Sequence, residues 1–131
     1  YQGQLGLGSP QSFPKNERGH PFQAQFCLVD RLAHLRVVQI ACGGEHSVAV
    51  ADNGEVWSFG AGNKGQLGHE TRTIEHYPRL VQVLKDTRRD ILHVACGNNC
   101  TLVLAAGVTF PTLFELTASV IRETAVLWDN V

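Results

Sequence analysis

Short apolar runs alternate with glycine- and asparagine-rich breaks over most of the chain. Arg36 to Cys42 is one such run, with β-branched residues, and Ser47 to Val50 is another. Asp52-Asn53-Gly54 follows, a turn signal whose Asn-Gly pair tolerates positive φ. Glu55 to Phe59 then alternates, with Val56 on one side and Trp57 and Phe59 on the other. This order predicts a hairpin, Ser47–Val50 against Val56–Phe59. Pro78 to Leu84 predicts a further strand, apolar at Leu80, Val81, Val83 and Leu84, with Pro78 at its mouth where a missing N–H is tolerated. From Pro111 the period changes. Thr112 to Glu115 matches a capping box, and Leu113, Leu116, Val120, Ile121, Thr124, Leu127 and Trp128 fall at spacings of about three and four. That spacing predicts an amphipathic helix of roughly four turns. It would cover the edge of the last sheet, or serve as a linker or docking helix anchored by Trp128, or be an end without stable structure.

Three segments recur. Gly-Gln-Leu-Gly stands at Gly3 to Gly6 and again at Gly65 to Gly68. An apolar stretch ending in Ala-Cys-Gly closes at Gly43 and again at Gly97. His46-Ser47-Val48-Ala49-Val50 is answered by Cys100-Thr101-Leu102-Val103-Leu104. The tetrapeptides lie 62 residues apart and the cysteines Cys42 and Cys96 lie 54 apart. The difference, 8, is a longer loop in the first repeat, read at Gln11 to Gln23. A period of ~50 to ~60 residues suits a propeller blade of about four strands. Gly60, Gly62, Gly65 and Gly68 fit tight bends where the chain passes between blades. Gly60 to Gly65 also matches a loose G-x-G-x-x-G, but a dinucleotide site needs a strand-loop-helix unit, and the neighbouring Gly-Gln-Leu-Gly belongs to the repeat.

The stretch Val38 to Ser47, then Asn53 to Gly60, then Asn63 to Gly68 resembles one full repeat of the regulator-of-chromosome-condensation family. Gly3 to Gly8 resembles the loop that begins the preceding repeat, without its usual aromatic-Gly-Asn lead-in. The resemblance covers residues 1 to about 105. It implies a seven-bladed β-propeller of four-stranded antiparallel blades. Members act as guanine-nucleotide exchange factors for small GTPases, as binding modules attached to HECT ubiquitin ligases, and as parts of kinases and ciliary proteins. Phe59-Gly60-Ala61-Gly62 with Gly65-Gln66-Leu67-Gly68 is similar to repeats of the HERC group of ubiquitin ligases. The second repeat decays: Asn99-Cys100 replaces Glu45-His46, the expected aromatic strand shrinks to Val108-Thr109-Phe110, and no further Gly-Gln-Leu-Gly follows. Seven blades need roughly 350 to 400 residues, and this chain holds about two. An open end leaves strand edges and an apolar blade face in water.

The expected fold is therefore all-β: a partial β-propeller of about two blades with a C-terminal amphipathic helix. Residues 1–60 form the first repeat with a truncated start, 61–110 the second, degenerate repeat, and 111–131 the helix or linker. The 131 residues are 44% apolar and 18% charged, so the chain is globular rather than disordered. Met is absent, including from position 1, which points to a processed chain or a piece of something longer. The net charge is −1, from 11 basic and 12 acidic side chains, which argues against nucleic acid as a partner. The densest basic spot, Lys85 with Arg88 and Arg89, is interrupted by Asp86 and Asp90 and reads as a solvated loop. No apolar run is long enough for a transmembrane helix and no secretory signal opens the chain, so no membrane partner is expected. Cys27, Cys42, Cys96 and Cys100 do not form a disulfide framework, so free thiols and a cytoplasmic or nuclear location are expected.

No catalytic constellation emerges. His46 lies between Glu45 and Ser47, but adjacent strand residues point to opposite faces and cannot form a triad. His46 reads instead as a polar group near the propeller shaft, bonded to the backbone of a neighbouring blade. Cys96, Cys100 and His93 lack the paired spacing of a zinc site, and Cys42 and Cys96 at matching places read as buried packing residues. Asp52, Glu55, Glu70 and Glu75 read as ordinary surface charge. No cofactor, metal or enzymatic activity is expected. Rim loops are where propellers bind partners, so contacts are placed on Gly68 to Tyr77 and Gln11 to Gln23: His69, Glu70, Arg72, His76, Lys15 and Arg18, with Trp128 from the tail. The expected function is a protein-interaction module within a larger scaffold, ubiquitin ligase or GTPase regulator. The alternative is exchange-factor activity on a small GTPase, which needs a surface spread over several blades; the partner class is a small GTPase or a ubiquitin-pathway protein.

Overall fold

The apolar runs become strands of two antiparallel sheets in the computed structural model, which describes residues 2–86 and 90–106 and the backbone of 125–128. The first sheet has the order β1-β2-β3-β4: β1 is Val37–Cys42, β2 His46–Ala51, β3 Val56–Gly60 and β4 Glu75–Leu80. The second has the order β5-β6-β7: β5 is Asp90–Cys96, β6 Thr101–Ala106 and β7 Ala125–Trp128. Each sheet is a meander, as a four-stranded propeller blade requires.

Local chemistry sets the hairpins. Between β2 and β3, Gly54 takes φ 83° and the Asn53 side-chain oxygen accepts the Glu55 N–H at 3.0 Å. That turn places Val50 opposite Val56 and Val48 opposite Ser58, so Val48, Val50 and Val56 share one face. On β6, Thr101, Val103 and Ala105 are buried and Leu102 and Leu104 exposed, the alternation of a strand with one covered face. The core lies between the sheets. Val48, Val50, Val56, Val81 and Leu84 of the first meet Val94 and Val103 of the second, with Ala41, Ile91 and Cys96 packed at the margin.

Three expectations change. The strand read at Pro78 to Leu84 starts earlier, at Glu75, and ends at Leu80; Gln82–Asp86 is a helical turn, α1. Val81 and Leu84, three apart, are buried while Val83 between them is exposed. The apolar run thus follows a helical period, which its composition alone does not separate from a strand. Pro78 sits within β4, the edge strand, beside the irregularity between Ser58 and Gly60, where its missing N–H removes no ladder bond. Cys42 is exposed rather than buried; Cys96, its repeat counterpart, packs on the core because a sheet stands in front of it. The helix expected over 112–128 falls mostly outside the described residues. Its last turn, Ala125–Trp128, is instead strand β7, paired with β6 so that Thr101 faces Trp128 and Leu104 faces Ala125. Pairing satisfies a sheet edge that would otherwise present open N–H and C=O groups.

Candidate interaction rim

The Gly-Gln-Leu-Gly tetrapeptide folds the same way twice. Gly3 and Gly65 have φ 80° and 82°. In each copy the last glycine N–H returns to the first glycine carbonyl, Gly6 to Gly3 at 2.9 Å and Gly68 to Gly65 at 3.1 Å. The glutamine side-chain oxygen accepts the N–H two residues earlier, Gln2 for Gln4 at 3.1 Å and Lys64 for Gln66 at 2.8 Å. The glutamine carbonyl then points at a strand. Ser47 Oγ donates to Gln4 O at 2.8 Å, and Thr101 Oγ1 donates to Gln66 O at 2.8 Å. Ser47 and Thr101 hold the same place in the two repeats.

The sheets touch through β1 and β2 against β5, and the β3–β4 loop fills the gap further out. Its first half is bonded on both sides. Ser58 Oγ on β3 donates to Leu67 O at 2.7 Å, and Thr101 on β6 holds Gln66. Leu67 and Gln66 are fully buried. Having spent its proton on Leu67, Ser58 accepts from His69 Nε2 at 2.9 Å, which places the imidazole proton on Nε2. Burial pushes His69 below its ordinary range and the Arg79 guanidinium adds to this, against a backbone hydrogen bond at Ser58 and the charge of Glu75.

His46 works across the boundary. Thr101 gives its proton to Gln66, so it accepts from His46 Nε2 at 2.9 Å. Burial lowers His46 as well, against a backbone hydrogen bond at Cys100; Nδ1 is buried without a partner. The bond expected from His46 to the backbone of a neighbouring blade goes instead to a side chain, that of Thr101. Nearer the inner strands, Gln39 Nε2 donates to Leu92 O at 2.8 Å while its Oε1 accepts the Val94 N–H at 3.3 Å. His93 Nδ1 lies 3.2 Å from the same oxygen. Gly44 N–H donates to Asn98 O at 3.1 Å. Burial pushes the Cys96 thiol up; the Thr101 hydroxyl opposes this and the Cys42 and Cys100 thiols add to it.

The second half of the β3–β4 loop is solvent-exposed from Glu70 to Ile74. Glu70 holds φ 60°, a left-handed conformation that places the chain at the mouth of a cleft of about 420 Å³ shared with His69 and Arg79. Arg72 is exposed, and Ile74 is a large apolar side chain in water. His76 is half-buried against residues 3–8, with Nδ1 unpartnered, and Gly8 N–H donates to its carbonyl at 3.0 Å. In the other loop, Lys15 pairs as a bridge with Pro21, and Asn16 Oδ1 accepts the Arg18 and His20 N–H groups at 3.0 and 2.8 Å. Lys15 and Arg18 are exposed. Trp128 lies on β7 opposite Thr101. Glu70 and Arg72 thus share one exposed segment, Lys15 and Arg18 another. His69 is the correction: it is buried and turned inward onto Ser58, and the loop's exposed residues begin after it. Sequence reasoning missed Ser58, Gln66, Thr101 and Gln39. A hydroxyl recurring at 47 and 101 was the available signal for Thr101.

A four-stranded and a three-stranded antiparallel meander packed face to face, with a glycine turn that recurs in sequence, define a class, the tandem propeller-blade repeat. The family model described as "Regulator of chromosome condensation (RCC1) repeat" matches residues 1–50 and 53–104, and a second model of that description matches 37–66. The chain belongs to this family. Its HERC-like character also holds: it is 42% identical over 100 residues to the human "Probable E3 ubiquitin-protein ligase HERC3", covering 76% of this chain and 8% of that protein. It is 38% identical over 78 residues to the human "E3 ubiquitin-protein ligase HERC2", covering 60% of this chain and 2% of that protein. The chain thus spans only a small fraction of these relatives' length. Among solved structures, human WBSCR16 superposes with a TM-score of 0.54 at 28% identity, over 80% of this chain and 25% of that one. Prp20p of Saccharomyces cerevisiae, at 24% identity and a TM-score of 0.52, shares the fold over 79% of this chain and 24% of that one.

Proposed function

We propose that this chain is a protein-interaction module, without catalysis of its own, that works as part of a larger ubiquitin ligase or scaffold. The observation that carries this reading is the division of the β3–β4 loop: residues 66–69 are bolted between the sheets, and 70–74 project into solvent as a rigidly based contact segment. A binding loop on a rigid base loses little conformational entropy on contact. Support for the ligase setting comes from the HERC2 and HERC3 relatives. Support for the absence of catalysis comes from the hydroxyls. Ser47 gives its proton to Gln4 O and Thr101 gives its proton to Gln66 O, and the imidazole beside Thr101 donates to it rather than taking a proton, so neither hydroxyl is set up as a nucleophile.

The test is affinity against a partner first found by proximity labelling in cells and then purified. Arg72→Glu and Ile74→Asp should each weaken binding by about tenfold or more, as truncation of a contact residue does. Full affinity in both variants would remove the loop from the interface. Accelerated nucleotide release from a small GTPase would replace the reading with the exchange-factor one.

A further inference from the structure

The β2–β3 turn carries a reactive pair of residues. Asn53 is exposed and is followed by glycine, whereas Asn16, Asn63, Asn98, Asn99 and Asn130 are each followed by a larger residue. Gly54 has φ 83° and open space where a Cβ would stand. A residue without a side chain leaves its own backbone nitrogen uncovered. That nitrogen follows directly on Asn53, so it can close a cyclic imide on the Asn53 carboxamide. Three hydrogen bonds oppose the closure. Gly54 N–H donates to Ala51 O at 2.9 Å, Ala51 N–H donates to Glu55 O at 2.9 Å, and Asn53 Oδ1 accepts the Glu55 N–H at 3.0 Å. The first holds the nucleophile, and the last holds the group it would attack.

We propose that Asn53 is a deamidation site whose rate is set by opening of the β2–β3 hairpin. In the opened turn the Gly54 nitrogen bonds to the Asn53 side-chain carbonyl carbon. Its proton passes to solvent base, the carboxamide C–N bond breaks, and ammonia leaves behind a succinimide. Water then opens the ring at either carbonyl. One opening gives aspartate; the other gives isoaspartate, in which the chain runs through the former side-chain carbon. The net change is uptake of water and release of ammonia. The two products differ in what they do to the fold. Aspartate keeps the oxygen that accepts the Glu55 N–H and makes that bond charge-assisted. Isoaspartate adds a backbone carbon between β2 and β3, which disturbs the pairing of Val50 with Val56 and the buried face they share with Val48. Conversion thus marks chains whose hairpin has opened, and its isoaspartate branch keeps the hairpin from closing in register.

Incubation of the 131-residue chain in mildly alkaline buffer, followed by peptide mass spectrometry that separates aspartate from isoaspartate, tests this. In guanidinium chloride Asn53 should convert before the other asparagines. In buffer at the same pH it should convert about tenfold more slowly or less, since the bonds at Gly54 and Asn53 must first break. Val56→Ala leaves a cavity at a residue 1% exposed. It should speed conversion in buffer and leave the rate in denaturant unchanged. Gly54→Ala, read in denaturant where folding plays no part, should convert more slowly than the natural chain. Equal rates in buffer and denaturant, or a Val56→Ala chain that converts no faster in buffer, overturn the control by the hairpin. Earlier conversion of another asparagine in denaturant, or a Gly54→Ala rate equal to the natural one, overturns the site.

Discussion

Thr101 and Gln66, 35 residues apart, are joined by a 2.8 Å hydrogen bond in which the threonine hydroxyl donates to the glutamine carbonyl. The Thr101 hydroxyl oxygen in turn accepts from His46 Nε2, so one buried hydroxyl ties β2, β6 and the β3–β4 loop together. Thr101→Val keeps the shape and removes both bonds. It leaves a buried carbonyl and a buried imidazole N–H without partners, at about 1 to 3 kcal/mol each. The urea midpoint should drop accordingly. Thr101→Ser, which restores the hydroxyl found at position 47, should lose only about 1 kcal/mol for its missing methyl. Equal losses in the two variants would show that packing, not the bond, matters.

The glycine turns offer a matched pair. Gly3 and Gly65 have nearly the same positive φ, so alanine at either is strained by about 1 kcal/mol. Their surroundings differ. A Cβ at Gly65 meets nothing, whereas one at Gly3 would stand 2.7 Å from the Glu75 carbonyl oxygen. Gly65→Ala should therefore cost about the conformational strain alone, and Gly3→Ala clearly more. Thermal unfolding of both variants checks the order, and the reverse order would contradict the packing of residues 3–8 on β4.

Much of this was legible in the chain. Asn53-Gly54 between two alternating runs specified the β2–β3 hairpin, because the turn residues and the period agree. The two Gly-Gln-Leu-Gly copies specified a repeated tight bend. What stayed hidden depends on neighbours distant in sequence. Cys42 and Cys96 stand in the same local sequence yet differ in burial, since burial follows the sheet in front of them. His69 reads as a loop residue until Ser58, eleven residues back, is seen to hold it. Val81 and Leu84 fit a strand as well as a helix, and only the core they reach decides.

Acid should weaken the fold. Burial lowers both His46 and His69 below the ordinary value of 6.5. Above 6.5 both are neutral, folded or unfolded, and the full stability is present. As pH falls below that value the unfolded chain binds protons that the folded chain refuses, so stability declines toward the lowered folded values. The urea midpoint should fall from about pH 7.5 to about pH 5. His46→Gln should flatten that decline by removing one of the two groups, while Gln still donates toward Thr101. An unchanged slope would show that His46 takes no part.

Gln39 couples the inner strands of the two sheets. The Val94 N–H points away from β6, and without Gln39 Oε1 at 3.3 Å it would be an unpaired edge donor. The Leu92 carbonyl is likewise met by Gln39 Nε2 at 2.8 Å. Gln39→Leu keeps apolar bulk and removes both bonds, so the sheets should separate locally more often while each keeps its own ladder. Hydrogen exchange reads this directly. The Val94 amide should exchange faster, and the Val103 amide, also buried at the sheet interface, should follow to a smaller degree. Amides between β2 and β3 should keep their protection, because that hairpin is held by its own ladder and by the Asn53 turn. Faster exchange across the whole first sheet would mean instead that the two sheets unfold as one cooperative unit.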